Sequence, residues 1–247
     1  MADKPWTRWV ACWEEVCERC LARGGRVDSP VMIDNPASEE EIAGVEEAIG
    51  RRLPSSFRRV LREFCAGASF EWSLPEHLET EVPGGLSQGG MAWCLRDPEE
   101  GLVGIAANEE YRRSLVRTWE GWGWYGEGAL ELEGHLRWRR SLMWLGTGED
   151  EGLGFDGGET GSRWEDAPVV LLDSVQLDDD EAYLVANFSD FMNRWSSVGC
   201  VGPASGYMRT VMPVQFGVRP RHVGPIDPHC EVAREWREWM GCTNVAM

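Results

Sequence analysis

The sequence predicts an α+β fold with a largely antiparallel sheet, on three observations. Helical apolar periodicity fills the first 67 residues. Short apolar runs set between glycines and prolines fill the middle, and helical periodicity returns near residue 188. Helices first, then consecutive strands without alternating βα units, exclude a doubly wound parallel sheet.

The elements follow in order. Trp6, Trp9, Val10, Trp13, Val16, Cys17, Cys20 and Leu21 recur at three- and four-residue steps, so they line one face of a helix that Gly24-Gly25 stops. A second helix opens at Ser38 with Glu41 three residues on, a capping box, and carries Ile42, Val45 and Ile49 before Gly50 at its left-handed cap. A third starts at Pro54, buries Phe57, Val60, Leu61, Phe64 and Cys65, and ends by Gly67. Strands are expected at Phe70–Leu74, Met91–Leu95, Leu102–Ala106, Ser141–Leu145, Leu153–Phe155 and Val169–Leu172. Residues 108–118 suit a short helix, and 119–140 carry no decisive pattern. Helices at Ser189–Trp195 and Glu231–Met240 complete the chain. One domain over 1–199, with its first helix at 6–23, and a proline-containing extension over 200–247 account for the whole.

Charge narrows the function. The 247 residues hold 42 acidic and 24 basic side chains, a net −18, which opposes contact with phosphate backbones or anionic lipid. Lys4 is the only lysine, so neither a phosphate-cradling Gly-Lys-Ser/Thr loop nor pyridoxal Schiff-base chemistry can be built. No 18-residue apolar run is present and Lys4, Arg8, Glu14 and Glu15 interrupt any leader-like core, while the eight cysteines are thinly spread. A cytoplasmic protein without membrane contact is expected.

Four motifs invite chemistry. Gly85-Leu86-Ser87-Gln88-Gly89 matches a nucleophile elbow, but a poor strand precedes it and Gly90 follows where a helix must begin, so a hydrolase using Ser87 is a remote alternative. Gly152–Gly157 matches a dinucleotide pattern, yet acids flank it and no helix N-terminus follows. Cys17 and Cys20 have zinc-ligand spacing but sit on the apolar stripe of the first helix, with only His229-Cys230 as a distant second pair. Trp119, Trp122 and Trp124 form an aromatic run among glycines, suited to binding a partner or to packing over a sheet edge. Neither catalytic residues, nor a metal, nor a cofactor is assigned.

The acidic stretch is the main candidate surface. Between Leu145 and Asp190 thirteen acids face Arg163 alone. Glu149, Asp150, Glu151, Asp156, Asp178, Asp179, Asp180 and Glu181 are the candidate partner-binding residues; solubilisation is the plainer role, and calcium is disfavoured because the run lacks spaced ligands and a central glycine.

Asn35-Pro36-Ala37-Ser38-Glu39-Glu40-Glu41-Ile42, Val45-Glu46, Ile49-Gly50, and Leu53-Pro54-Ser55-Ser56-Phe57 with Leu61 resemble the N-terminal signature of the SUKH superfamily. Ala66–Ser69, Leu142–Phe155, Val169–Asp173 and Ala186–Phe191 resemble its later loop, strands and helix, with Asn187 and Met192 departing from the usual serine and leucine. The resemblance covers residues 35–196. It implies protein binding without shared catalytic residues: a cytoplasmic immunity protein that neutralises a basic toxin domain, such as a nuclease, of a polymorphic or contact-dependent system, or alternatively a non-catalytic regulatory scaffold of the cell-wall-assembly type. Oligomeric state is left open.

Overall fold

The structure is a computed structural model. It describes residues 4–95, 104–122, 133–146, 151–157, 166–173, 183–202, 210–212, 214–215, 221–222 and 225–244. Helix α1, Pro5–Ala22, starts on proline and buries Trp6, Trp9, Trp13, Val16, Cys17 and Cys20, as its periodicity predicts; Leu21 instead faces out. Strand β1, Arg26–Ile33, follows, and the sequence analysis does not anticipate it. It is an edge strand with two register irregularities and Pro30 in its middle, and its half-buried side chains give only a faint apolar alternation.

Helix α2, Glu39–Ile49, has the expected capping box. Ser38 Oγ accepts from the Glu41 amide at 3.2 Å, and the Ser38 amide donates to the Glu41 carboxylate at 2.8 Å. Gly50 closes it at φ +72°, where a Cβ would be strained. Helix α3, Ser55–Glu63, begins one residue later than expected, because Pro54 keeps an extended ψ of 142° and acts as the cap. It ends earlier too, since Gly67 opens β2, Gly67–Ser73. With β3, Gln88–Cys94, these strands make an antiparallel sheet in the order β1-β2-β3.

The strand expected at Leu102–Ala106 is a correction. Ile105 and Ala106 open helix α4, Ile105–Trp122, whose buried positions Ile105, Asn108, Glu109, Arg112, Val116 and Trp119 recur at helical steps, and residues 102–103 lie outside the described residues. Two of those positions are charged and one is an amide, so an apolar scan misses the face. Helix α5, Glu133–Arg140, runs directly into a second sheet of β4, Ser141–Gly146, β5, Glu151–Asp156, β6, Val169–Asp173, and β7, Tyr183–Val185, an antiparallel meander in chain order. Helix α6, Phe188–Ser196, is capped by Asn187, whose Oδ1 accepts from the Asp190 amide. The two-residue strands β8, Val214–Gln215, and β9, Arg221–His222, pair before α7, Glu231–Met240.

An aromatic hub unites these pieces. Phe57 of α3 lies 4.6 Å from Phe188 of α6, 5.1 Å from Phe155 of β5 and 5.5 Å from Trp93 of β3, ring centre to ring centre. Both sheets thus press on one cluster, where offset and edge-on rings add to apolar burial. The chain after residue 199 shares that core: Ile226, Ala233, Trp236 and Met240 belong to the same apolar cluster as α1 and β2. Trp236 Nε1 donates to the Leu86 carbonyl at 3.0 Å, and Trp72 Nε1 to the Gly199 carbonyl at 2.9 Å. These two buried indole N–H groups therefore find their partners far along the chain.

Candidate partner-binding surface

Both faces of the β4–β7 sheet are covered. Met143, Val170 and Leu172 pack against Val116, Trp119 and Trp138 of α4 and α5. Trp144, Phe155, Val169 and Leu171 turn the other way into the main core. What the sheet offers a partner is its ends. Register pairs Gly146 with Gly152 and Glu151 with Asp173, so Gly146, Glu151 and Asp173 share one end of β4–β6, whereas β7 pairs with Val169 and Val170 toward the other end of β6. In sequence, the acidic segments 147–150 and 174–182 adjoin these strand ends.

The predicted residues distribute as follows. Glu149, Asp150 and Asp178, Asp179, Asp180 and Glu181 lie outside the described residues. Glu151 opens β5 at the acidic end. Asp156 lies at the opposite end of β5, is 1% exposed and forms a two-pronged pair with Arg140 at 2.7 and 2.9 Å. It supplies no surface charge, because a carboxylate so enclosed needs that guanidinium to offset desolvation. Trp119 is inside α4 and buried, its ring edge-on to Trp138 at 5.1 Å, so it serves packing rather than an open aromatic loop. Trp122 is the last residue of α4, and Trp124 lies outside the described residues.

The other motifs resolve by local geometry. Ser87 is buried, and its turn feeds strand β3 where an elbow requires a helix. Gly152 and Gly154 belong to β5; a Cβ at Gly152 would meet the Leu145 carbonyl at 2.5 Å, so close strand packing accounts for that glycine. Burial pushes the Cys17 thiol up to about 11, with Cys20 and Glu14 adding to it, which disfavours the thiolate that metal binding needs. Among the described residues no group of three or more His, Cys, Asp or Glu side chains is arranged to hold a metal ion.

Sequence reasoning missed a buried charge network beside this sheet. Glu109, 1% exposed, accepts from Arg112 Nε and Nη2 at 2.8 Å each, from Arg113 Nε at 2.9 Å and from the Met143 amide at 3.2 Å. Arg112 also donates to the Trp138 carbonyl, and Arg113 to the Ile49 carbonyl. One carboxylate therefore fastens α4 to β4, while its arginines cap the C-terminal ends of α5 and α2. The available signal was Glu109, Arg112 and Arg113 at i, i+3 and i+4, between the apolar positions Ile105, Val116 and Trp119.

A comparison with protein-family models matches residues 36–194 to the SMI1/KNR4 family (SUKH-1). The chain belongs to that family. The match spans the elements from α2 to α6 and leaves out α1, β1 and everything after residue 194. The SUKH family includes immunity proteins and Smi1/Knr4-type regulators, and its members bind partner proteins; they are generally non-catalytic. No curated protein matched the sequence. No helix among the described residues is long and apolar enough to cross a membrane.

Proposed function

We propose that this SUKH-family chain is a cytoplasmic immunity protein that binds a basic, nuclease-type toxin domain through the acidic end of its β4–β7 sheet. The observation that supports this reading is the strand register, which brings Gly146, Glu151 and Asp173, the strand ends next to the acidic segments in sequence, to one end of the sheet while helices and core cover both faces. Family membership supports a binding role, and the surplus of acids in this region supports a basic partner. A nuclease cleft is shaped to hold phosphates, and a row of carboxylates competes for the same cations. The eight free cysteines are in keeping with a reducing compartment.

The test is binding of any toxin domain found encoded beside this gene, measured with wild-type protein and a variant carrying Asp178→Lys, Asp179→Lys, Asp180→Lys and Glu181→Lys. Association should slow by about tenfold or more in the variant, and wild-type association should slow as salt rises. Unchanged association and unchanged protection of cells would remove the acidic end from the interface. Capture of a housekeeping regulator, with no toxin bound, would favour the scaffold role instead.

A further inference from the structure

The two edges of the β1-β2-β3 sheet differ. The outer edge of β3 is closed by the chain after α6: the Gly90 amide donates to the Cys200 carbonyl at 2.9 Å, and Gly89 bridges to Gly202. Among the described residues no strand pairs with the outer edge of β1. That strand also carries Met32 and Ile33, 59% and 40% exposed, adjacent members of the small set of large apolar side chains left in water among the described residues. An edge with open backbone groups and exposed apolar side chains is a template for another strand.

The register shows which backbone groups are open. Strand β2 pairs with β3 without a break from Gly67–Cys94 to Ser73–Gln88, so its residues turn alternately to one neighbour and the other. The Asp34 amide donates to the Gly67 carbonyl at 3.0 Å, which turns Gly67, Ser69, Glu71 and Ser73 toward β1 and leaves Ala68 and Trp72 to β3. Ile33 lies opposite Ala68, and Val27 opposite Trp72. Both therefore direct N–H and C=O away from β2, toward the open edge. Charge accompanies them on the other face of the strand. Arg26 lies opposite Ser73, and a Cβ at Gly67 would meet the Asp34 carboxylate at 2.5 Å, so both charges share the side of Ser73 and Gly67.

We propose that β1 pairs with β1 of a second copy of this chain, antiparallel about a two-fold axis through Pro30. In that register Val27 meets Ile33 of the second copy, which joins the open backbone groups of both. Arg26 then meets Asp34 of the second copy at each end of the joint. Pairing Val27 on Val27, or Ile33 on Ile33, engages one of these residues and leaves the other unmet. Within its own chain Arg26 reaches exposed Asp28 at 3.7 Å, a loose pair that leaves it free to turn. Pro30 at the axis has no N–H to forfeit, and with the irregularities around Ser29 it keeps the joint short. A short ladder with exposed ion pairs makes a weak, salt-sensitive dimer. Strand β1 belongs to a different sheet from β4–β7, so the dimer stands independently of the toxin-binding reading.

The experiment is sedimentation velocity of the full chain from micromolar to near-millimolar concentration. Wild type should pass from the 27.8 kDa monomer to a dimer, less readily as salt rises. Arg26→Asp sets like charges together at both ends of the joint, and so does Asp34→Arg, so each should weaken dimerisation by about tenfold or more. Mixing the two variants should restore it, because each end then pairs an Asp with an Arg. Should either variant fail to fold, Ile33→Lys on the exposed edge takes its place and should stay monomeric. A wild-type monomer throughout the range, a dimer equally strong in the variants, or no recovery on mixing overturns the proposal. So does a monomer whose Val27 and Ile33 amides gain protection from hydrogen exchange only with a toxin domain bound, which would assign the edge to a foreign strand.

Discussion

At the scale of single residues, two buried carboxylates do more than the apolar pattern suggests. Glu109 neutralises Arg112 where water cannot reach, so Glu109→Ala should lower stability by about 3–5 kcal/mol, as for any buried pair broken on one side. Urea unfolding of wild type and variant checks this, and Glu109→Ala with Arg112→Met should recover part of the loss if repulsion among the remaining arginines is the cause. Glu15 of α1 receives the Thr243 amide and hydroxyl at 2.8 Å each and the Asn244 amide at 2.7 Å, tying the first helix to the end of the chain. Burial raises its pKa, but the Asn244 and Thr243 amides, the Thr243 hydroxyl and Arg19 together hold it below the ordinary value. A depressed carboxyl pKa contributes stability above the unfolded-state value, near 4.3, and loses it as pH falls through the folded one. The tie should therefore be intact at neutral pH and loosen only as pH falls through the lowered folded-state value. Hydrogen exchange at the Thr243 and Asn244 amides, followed from pH 6 downward after correction for intrinsic rates, should keep its protection until pH has fallen below the ordinary carboxyl range and only then lose it. Neither carboxylate could be singled out among 42 acids by type alone, because what distinguishes them is tertiary enclosure.

At the scale of elements, most of what the sequence signals is local, and there the reading was sound. The capping box at Ser38, the left-handed Gly50 and the boundaries of α7 all follow from contacts within a few residues. Ser38→Ala should therefore cost about 1 kcal/mol, measurable as a shifted unfolding midpoint with unchanged denaturant slope. Elements defined by distant partners were less visible. Strand β1 exists because β2 pairs with it across two irregularities, and no alternation announces an edge strand that buries so little. Helix α4 hides its inward face behind Asn108, Glu109 and Arg112, side chains that read as solvent-facing until β4 and α5 supply their partners. Trp119 shows the same limit. Its glycine-rich neighbourhood suggests a loop, whereas packing against Trp138 makes it a core residue, and Trp119→Ala should cost about 3–5 kcal/mol.

At the scale of the whole molecule, the family match and the physical core have different limits. The match covers residues 36–194, yet the apolar cluster runs from Trp6 to Met240. The candidate surface was only half legible for a related reason: charge counting finds the acidic segments, but strand order alone shows that Gly146, Glu151 and Asp173 share one sheet end, and enclosure removes Asp156 from the set. The segment after residue 225 gives the sharpest test of how far the folded unit extends. Trp236 lies tilted against Trp72 at 6.0 Å, donates to Leu86, and shares its helix with Met240, while Glu15 grips the residues beyond. Removing residues 225–247 would uncover Trp72 and α1 and leave the Leu86 carbonyl and the Glu15 carboxylate without those partners. Loss of a buried tryptophan alone is worth about 3–5 kcal/mol, which is a large share of the 5–15 kcal/mol holding an ordinary domain together. The truncated chain should accordingly bind a hydrophobic dye and lose much of its near-ultraviolet tryptophan signal, even though every residue of the family match is still present. Retention of the full-length unfolding midpoint would instead show that the 36–194 region and its N-terminal helix are stable without the tail.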